Sequence, residues 1–596
     1  MARKHPNDIL GNKKLDRFDV CIIGSGAGGG TAAHVLTAGG KNVLVLEAGP
    51  LTYQHLDDPK HDPVSLHSND ELKYGVRDWI TPLGELEPRT FRIDANKPAA
   101  INTDVNQLPR LVGGAFGHAD VKVPRFTKVD FHLKSAMEAL IAATPSLAVP
   151  GFGADAASAN FADWPFTYDE LEPFYVEIER LYGAQGDDSN PFASARSQPH
   201  PMPPGVPMYF ALKLADGARA TTFFGGPLHP HAYPGMQASR PYDGRPPCVD
   251  CGLCSGFGCS INAKGVPAVV TVRKALLSGR CQLRYNAQVV NLVLTGSTVT
   301  GVTYVDGTGA EQTVGADAFI LAASPIESAR LCLLSNVPST SGQIGRNLMF
   351  HLQTNVNGFS PERIHGQRGR AVTHGISDFR GVLPGGDAIR VYDVQGNPQV
   401  HLGGVCEFGA SQGQPITEDG VNYAFSLNRR FGAKLKGAMK DLPLGQHLFG
   451  MIMQAEDAPQ LGNVVDLDPT VQDVFGRPVA RVTYRNHAFE LGARDFYVGT
   501  MKEVVTNAGA DLVFTTPCDI DLGGAPTSRH VMGTLRMGTD PATSVVDPNG
   551  KFHEVDNLYA CDGSVFPTSS GWNPTLTIMA VAAKITHTLA GTTPAT

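Results

Sequence analysis

The 596-residue chain has no run of about 18 apolar residues, so no part of it reads as a membrane-spanning helix. It has no basic cluster, and its net charge of −8 lacks the electrostatic footprint of a nucleic-acid binder. It has no internal repeat: its 66 glycines and 43 prolines are spread along the chain and mark loops rather than low complexity. The first 20 residues are basic but contain no apolar core of a secretory signal, so a cytoplasmic protein is expected. A periplasmic subunit co-exported on a partner's signal would look the same. Cysteine is scarce. Of ten, Cys21, Cys281, Cys332, Cys406, Cys518 and Cys561 stand alone, which suits buried reduced thiols better than a disulfide framework.

What is present is an ordinary globular composition, 42% apolar and 18% charged, which can bury a substantial core. The length calls for two large domains, or one with a large insertion.

Residues 18–49 carry the first motif. "DVCII" is a short β-branched apolar run of the kind that forms a buried parallel strand. Gly24-x-Gly26-x-x-Gly29 follows at once, then a helical run of small and apolar residues, then "NVLVLE" as a second strand ending in Glu47. Gly24 allows the tight turn, Gly26 lets backbone approach a pyrophosphate, and Gly29 lets helix pack on strand. Glu47 stands where a carboxylate would take ribose hydroxyls. A Gly-rich turn with a purely structural role is the competing reading. The motif itself does not separate NAD from FAD.

The second motif is "RHVMGTLRMG" (529–538), followed by "NLYACDGSVFPTSSGWNPTLTIMAVAAKI" (557–585). Asn573 and Pro574 open an apolar helix, with Asn573 at a capping position. The N-terminal glycines and Glu47, "IGRNLMFH" (344–351), "EDAPQLGNVVDLDPTVQDVFGRPVARVTY" (456–484) and these two segments resemble, in order, the glucose–methanol–choline (GMC) oxidoreductases. The likeness is nearest to pyranose oxidase-like and bacterial sugar dehydrogenase-like members.

The resemblance implies an α/β fold: a discontinuous Rossmann-like FAD-binding domain plus an α+β substrate-binding domain with an antiparallel sheet. The expected division is 1–183 for the first FAD-binding part, 184–247 for a Pro/Gly-rich insertion and 248–350 for the second FAD-binding part. Residues 351–520 are then the substrate domain and 521–596 the C-terminal FAD-binding part. It implies oxidation of a CH–OH group of a sugar, polyol or other alcohol, with His530 as base, Asn573 as its partner and hydride passing to flavin N5. An imidazole suits that proton transfer, because its ordinary pKa lies near 6.5. Asp562 and Gly563 are implied along the ribityl and phosphate part of FAD, Pro574 and Thr575 at the pyrimidine end, and Val289 near the adenine. Gly113, Gly114 and His118, in "RLVGGAFGH", are implied beside the flavin's dimethylbenzene edge. His118 then either carries a covalent flavin bond or only lines the site. The expected electron acceptor is oxygen, a quinone-type molecule or a small partner subunit. Competing functions are a redox-silent FAD-containing lyase on the same fold, a NAD(P)-dependent dehydrogenase, and a pure electron-transfer or binding subunit.

The other four cysteines lie within twelve residues, Cys248-x2-Cys251-x2-Cys254-x4-Cys259. The run resembles the start of an iron–sulfur ligand set but departs from the ferredoxin pattern, with four residues before the last cysteine and Ser260 after it. Three readings stay open: an iron–sulfur cluster, zinc, or plain thiols packing a turn-rich segment.

Overall fold

The computed structural model describes residues 9–11, 15, 17–58, 60, 64–65, 88–102, 108–150, 159–252, 254–366, 368–410, 432–434, 436, 446–516, 524–526 and 528–595. Cys518 and residues 521–523 lie outside them.

Val20–Ile23, Val43–Leu46, Cys281–Arg284, Ala318–Leu321 and Leu558–Ala560 pair in parallel, with Ile9–Leu10 as an antiparallel edge. The inner strands, VCII and VLVL, are buried at every position, because helices cover both faces of a parallel sheet and alternation has no use. The sheet draws on strands from Ile9–Leu10 to Leu558–Ala560, nearly the whole length of the chain, which is the discontinuous α/β domain expected. Ala27–Ala38 packs against Thr575–Ala590, and that helix against Tyr168–Tyr182. Tyr168–Tyr182 starts with a capping box: Thr167 Oγ1 accepts from the Glu170 amide while Glu170 accepts from the Thr167 amide.

The second core belongs to an antiparallel sheet. Its order is His231–Ala232, His374–Ile376, Gly404–Ala410, Leu448–Ala455, Leu352–Phe359, Leu512–Thr516. Period-two alternation sends Cys406, Phe408, Met451 and Met453 into a core shared with the helix Ala488–Asn507. It sends Val405, Glu407, Gln454 and Gln353 to the opposite face. The segment 184–247 does not stand apart as an insertion. It supplies the edge strand His231–Ala232 and the helix Tyr209–Ala220, which packs on Ala488–Asn507.

A third sheet, of order Val531–Thr534, Arg346–Phe350, Val464–Gln472, Pro478–Thr483, Thr90–Arg92, Ala100–Ile101, is assembled from both sides of the expected boundaries at 350 and 520. The chain passes from its strand Arg346–Phe350 through His351 straight into Leu352–Phe359 of the second sheet.

Behind this junction, Arg380 is fully buried and bonds Asp130 at 2.6 Å and Glu456 at 3.2 Å. Burial pushes the Glu456 carboxyl up to about 7. The guanidinium ties together three segments that share no sheet. Replacing it leaves two buried carboxylates without their cation. Arg380→Met is therefore expected to lose about 3–5 kcal/mol of stability, measured by chemical denaturation of the purified protein.

Candidate active site

A cavity of about 570 Å³ runs from the Gly-rich turn to the second sheet. Two helices point their N-termini into it. Ala27–Ala38 begins at Gly26 and Thr575–Ala590 at Pro574, and neither first turn has a side-chain cap. Amides that no side chain satisfies, at the positive end of a helix, suit a pyrophosphate or an electron-rich ring edge.

The glycines do what their spacing requires. Gly24 has φ +99°, and a Cβ there would lie 2.3 Å from the Ala322 carbonyl oxygen. A Cβ on Gly29 would lie 2.0 Å from the Gly24 oxygen, so Gly29 stands behind the wall and sets helix-to-strand spacing. Gly114 lines the cavity, while Gly113 sits one layer back and donates its amide to Ser25 Oγ at 2.9 Å. Glu47 lines the cavity and accepts from the Ser25 amide and hydroxyl at 2.9 and 2.6 Å, which holds the phosphate turn against the second strand. Val289, Asp562, Gly563 and Thr575 are in the wall, as is His118. Asp562 accepts from the Ser324 and Ser564 amides and from Ser328 Oγ, although burial raises its carboxyl above the ordinary range.

His530 and Asn573 meet at the far end, His530 Nε2 to Asn573 Nδ2 at 3.4 Å. The ladder explains why. Phe350 pairs Val531, so the next pair along is His351 with His530. Their Nδ1 atoms are 2.9 Å apart, and His351 Nε2 lies 3.4 Å from the Ser569 carbonyl. A carbonyl only accepts, so His351 carries its proton on Nε2. His351 Nδ1 is then an acceptor, and His530 must donate from its own Nδ1. That leaves His530 Nε2 as an acceptor, facing the Asn573 amide nitrogen. Burial first, then the neighbouring His351 and Lys122, hold His530 well below its ordinary pKa; burial pushes His351 down to about 4.

Asn573 is not the helix cap its position suggested. Tyr233 OH donates to its Oδ1 at 2.6 Å, and its Nδ2 donates to Glu407 Oε1 at 2.8 Å. These two bonds fix the amide with an N–H towards His530. Glu407 is paired in turn with Lys122, which also reaches Asp120 at 3.3 Å. Burial works against the Lys122 ammonium, but the two carboxylates outweigh it and hold the group above its ordinary pKa. Lys122, Glu407, Tyr233 and His351 escaped the sequence reading. Only His351 had a signal, as the last residue of "IGRNLMFH".

The cysteine segment adjoins the cavity. Ser255 is in the wall and the Gly256 amide donates to the His118 carbonyl at 2.9 Å. Cys248, Cys251, Cys254 and Cys259 line one hollow of about 40 Å³. Among the described residues, no three cysteine, histidine or acidic side chains converge closely enough to hold a single metal ion, so the zinc reading has no support.

Comparison with known proteins gives the class. The GMC oxidoreductase family's two sequence profiles match residues 235–353 and 459–582. The chain is 27% identical to the gluconate 2-dehydrogenase flavoprotein of Pantoea cypripedii, over 94% of this chain and 92% of that one. It is also 27% identical to the 2-methyl-1,2-propanediol dehydrogenase of Mycolicibacterium austroafricanum, over 96% and 94%. The fold matches the crystal structure of pyridoxine 4-oxidase from Mesorbium loti with a TM-score of 0.58 and 17% identity, over 96% and 99% of the two chains. The protein belongs to the GMC oxidoreductases, flavoproteins that act on CH–OH donors. The two uncapped helix ends, the glycine turn and the cavity's size fit FAD.

Gly29→Ala would drive its methyl into the Gly24 carbonyl and force the first helix off the sheet. Titration of the apoprotein with FAD is expected to show at least roughly tenfold weaker binding, 1.4 kcal/mol or more.

Proposed function

We propose that the protein oxidises a CH–OH group of a polyhydroxylated small molecule, a sugar or polyol, with His530 taking the hydroxyl proton. The observation that carries this is His530 Nε2, left as an acceptor by the His351 contact and facing the Asn573 amide at 3.4 Å. A substrate oxygen placed between them donates its proton to Nε2 and accepts from Asn573 Nδ2. The polar wall at this end, with Gln353, Gln454, Asp120 and Lys122, offers donors and acceptors for further hydroxyls. The two curated relatives are named for a sugar acid and a diol, which supports the substrate class. FAD, when bound, supplies the hydride acceptor. Reoxidation is by oxygen, a quinone-type acceptor or an electron-transfer partner.

Two finer cofactor readings belong to the same proposal. His118, in the wall beside Gly114, is where a covalent flavin bond would form. Cys248, Cys251, Cys254 and Cys259 would hold an iron–sulfur cluster, whose core accepts thiolates set wider apart than a single ion does. Acid precipitation of the flavin, iron analysis and low-temperature EPR decide both.

His530→Ala is expected to keep FAD and to slow anaerobic flavin reduction by sugars or polyols about 10²–10⁴-fold, read by stopped-flow bleaching. Reduction at the wild-type rate would overturn the assignment of the base. A wild-type protein that no alcohol bleaches would favour the redox-silent lyase.

A further inference from the structure

We propose that the buried Lys122–Glu407 pair is a positioning device for the proton-accepting end of the site: Glu407 holds the Asn573 amide towards His530, and Lys122 balances the charge that Glu407 would otherwise aim at the base. This rests on His530 being that base.

The geometry forms one connected line. Asp120 pairs with Lys122, Lys122 with Glu407, Glu407 with Asn573, Asn573 faces His530, and His530 leans on His351. The Glu407 side chain is 1% exposed and that of Lys122 is 15% exposed, so water screens neither charge well. Both Glu407 oxygens are committed: Oε2 to Lys122 and Oε1 to Asn573 Nδ2. Asn573 Oδ1 is taken by Tyr233 OH. The amide therefore cannot turn over without breaking both of its bonds.

The elements packed around His530 bring a limited set of titratable groups. The strand before the second sheet brings His351, with Arg380 behind it. The segment beside His118 brings Asp120 and Lys122, and the second sheet brings Glu407. Arg529 precedes His530 on its own segment and lines the cavity with it. Of the charged groups, only Glu407 is bonded to the amide that faces His530 Nε2.

A buried ion pair contributes little net stability of its own, but losing one member leaves an uncompensated charge. That makes the two members separable. Without Lys122, the Glu407 carboxylate keeps the Asn573 amide but loses its cation, favours imidazolium and raises the pH at which His530 protonates. Without the Glu407 charge, the Lys122 ammonium opposes imidazolium and lowers that pH. A pair that only packed the wall would not push His530 in opposite directions.

The test uses FAD-loaded protein and two readouts. One is the acid limb of the anaerobic flavin-reduction rate against pH. The other is the histidine ¹⁵N shifts of labelled protein, with His530 assigned by loss of its signal in His530→Asn. Lys122→Met is expected to move the His530 titration up by about one pH unit or more, and Glu407→Gln to move it down by a similar amount. The double variant should fall between them, and Lys122→Arg should keep the wild-type position. Should Lys122→Met lose FAD, Glu407→Gln and Lys122→Arg still carry the comparison. Shifts of the same sign in the two single variants, or no shift in either, overturn the proposal. If no alcohol reduces the wild-type flavin, the functional reading fails, while the ¹⁵N titration still judges the pair.

Discussion

The hydrogen bond from Asn573 Nδ2 to Glu407 Oε1 is the constraint on which the site depends. Asn573 belongs to the segment that opens the C-terminal helix, and that helix packs on the first helix of the parallel sheet. Glu407 belongs to a central strand of the antiparallel sheet. Their bond, and the one from Tyr233 on the adjoining segment, cross the seam between the two cores. A hydrogen bond to a buried carboxylate contributes about 1.5–3 kcal/mol, and leaving either member unpaired costs as much again. The seam is therefore held in register by the same amide that faces His530.

His351 plays the complementary part from the other side. One continuous stretch of chain serves as a strand in two sheets, with His351 at the change-over. The antiparallel register that pairs Phe350 with Val531 places the two imidazoles next to each other, and the Ser569 carbonyl then decides both tautomers. The same kind of argument fixes Glu407. Gly404–Ala410 alternates between core and cavity, so a one-residue slip would bury the carboxylate among Met451 and Met453 and turn Cys406 and Phe408 towards the site. The apolar pattern of the strand thus protects the position of a polar residue that makes no contribution to that core.

How much of this was legible depended on range along the chain. The glycine turn is a signal of spacing within one segment, and it forms where the sequence placed it. His530 and Asn573 each belong to a local motif, and their side chains come within 3.4 Å of each other. Asn573 misled in one respect. Its position before an apolar helix reads as a cap, but in the folded chain its amide finds stronger partners in Tyr233 and Glu407. Lys122, Tyr233 and Glu407 come from three distant segments and meet only because two sheets close on each other; no local pattern marks any of them. Tyr233 lies in a stretch whose prolines and glycines suggested an irregular insertion. That composition reports loops, and it is silent on what the loops deliver to the seam.

The four clustered cysteines gain meaning from their surroundings. Lys264 spends all three of its donors on carbonyls, those of Ala119, Cys254 and Phe257, and so clamps the cysteine segment onto the loop that carries His118. Burial pushes the Cys254 thiol up to about 12 and that of Cys248 up to about 11. At neutral pH those two remain protonated and make poor nucleophiles. Thiolate chemistry here therefore needs a cation to replace the proton, because a metal centre is what stabilises a thiolate in a site that burial makes hostile to charge. Without one, the clamp by Lys264 makes the segment a rigid backing for the cavity wall at Ser255 and His118. Either way, the segment backs the cavity wall at Ser255 and His118.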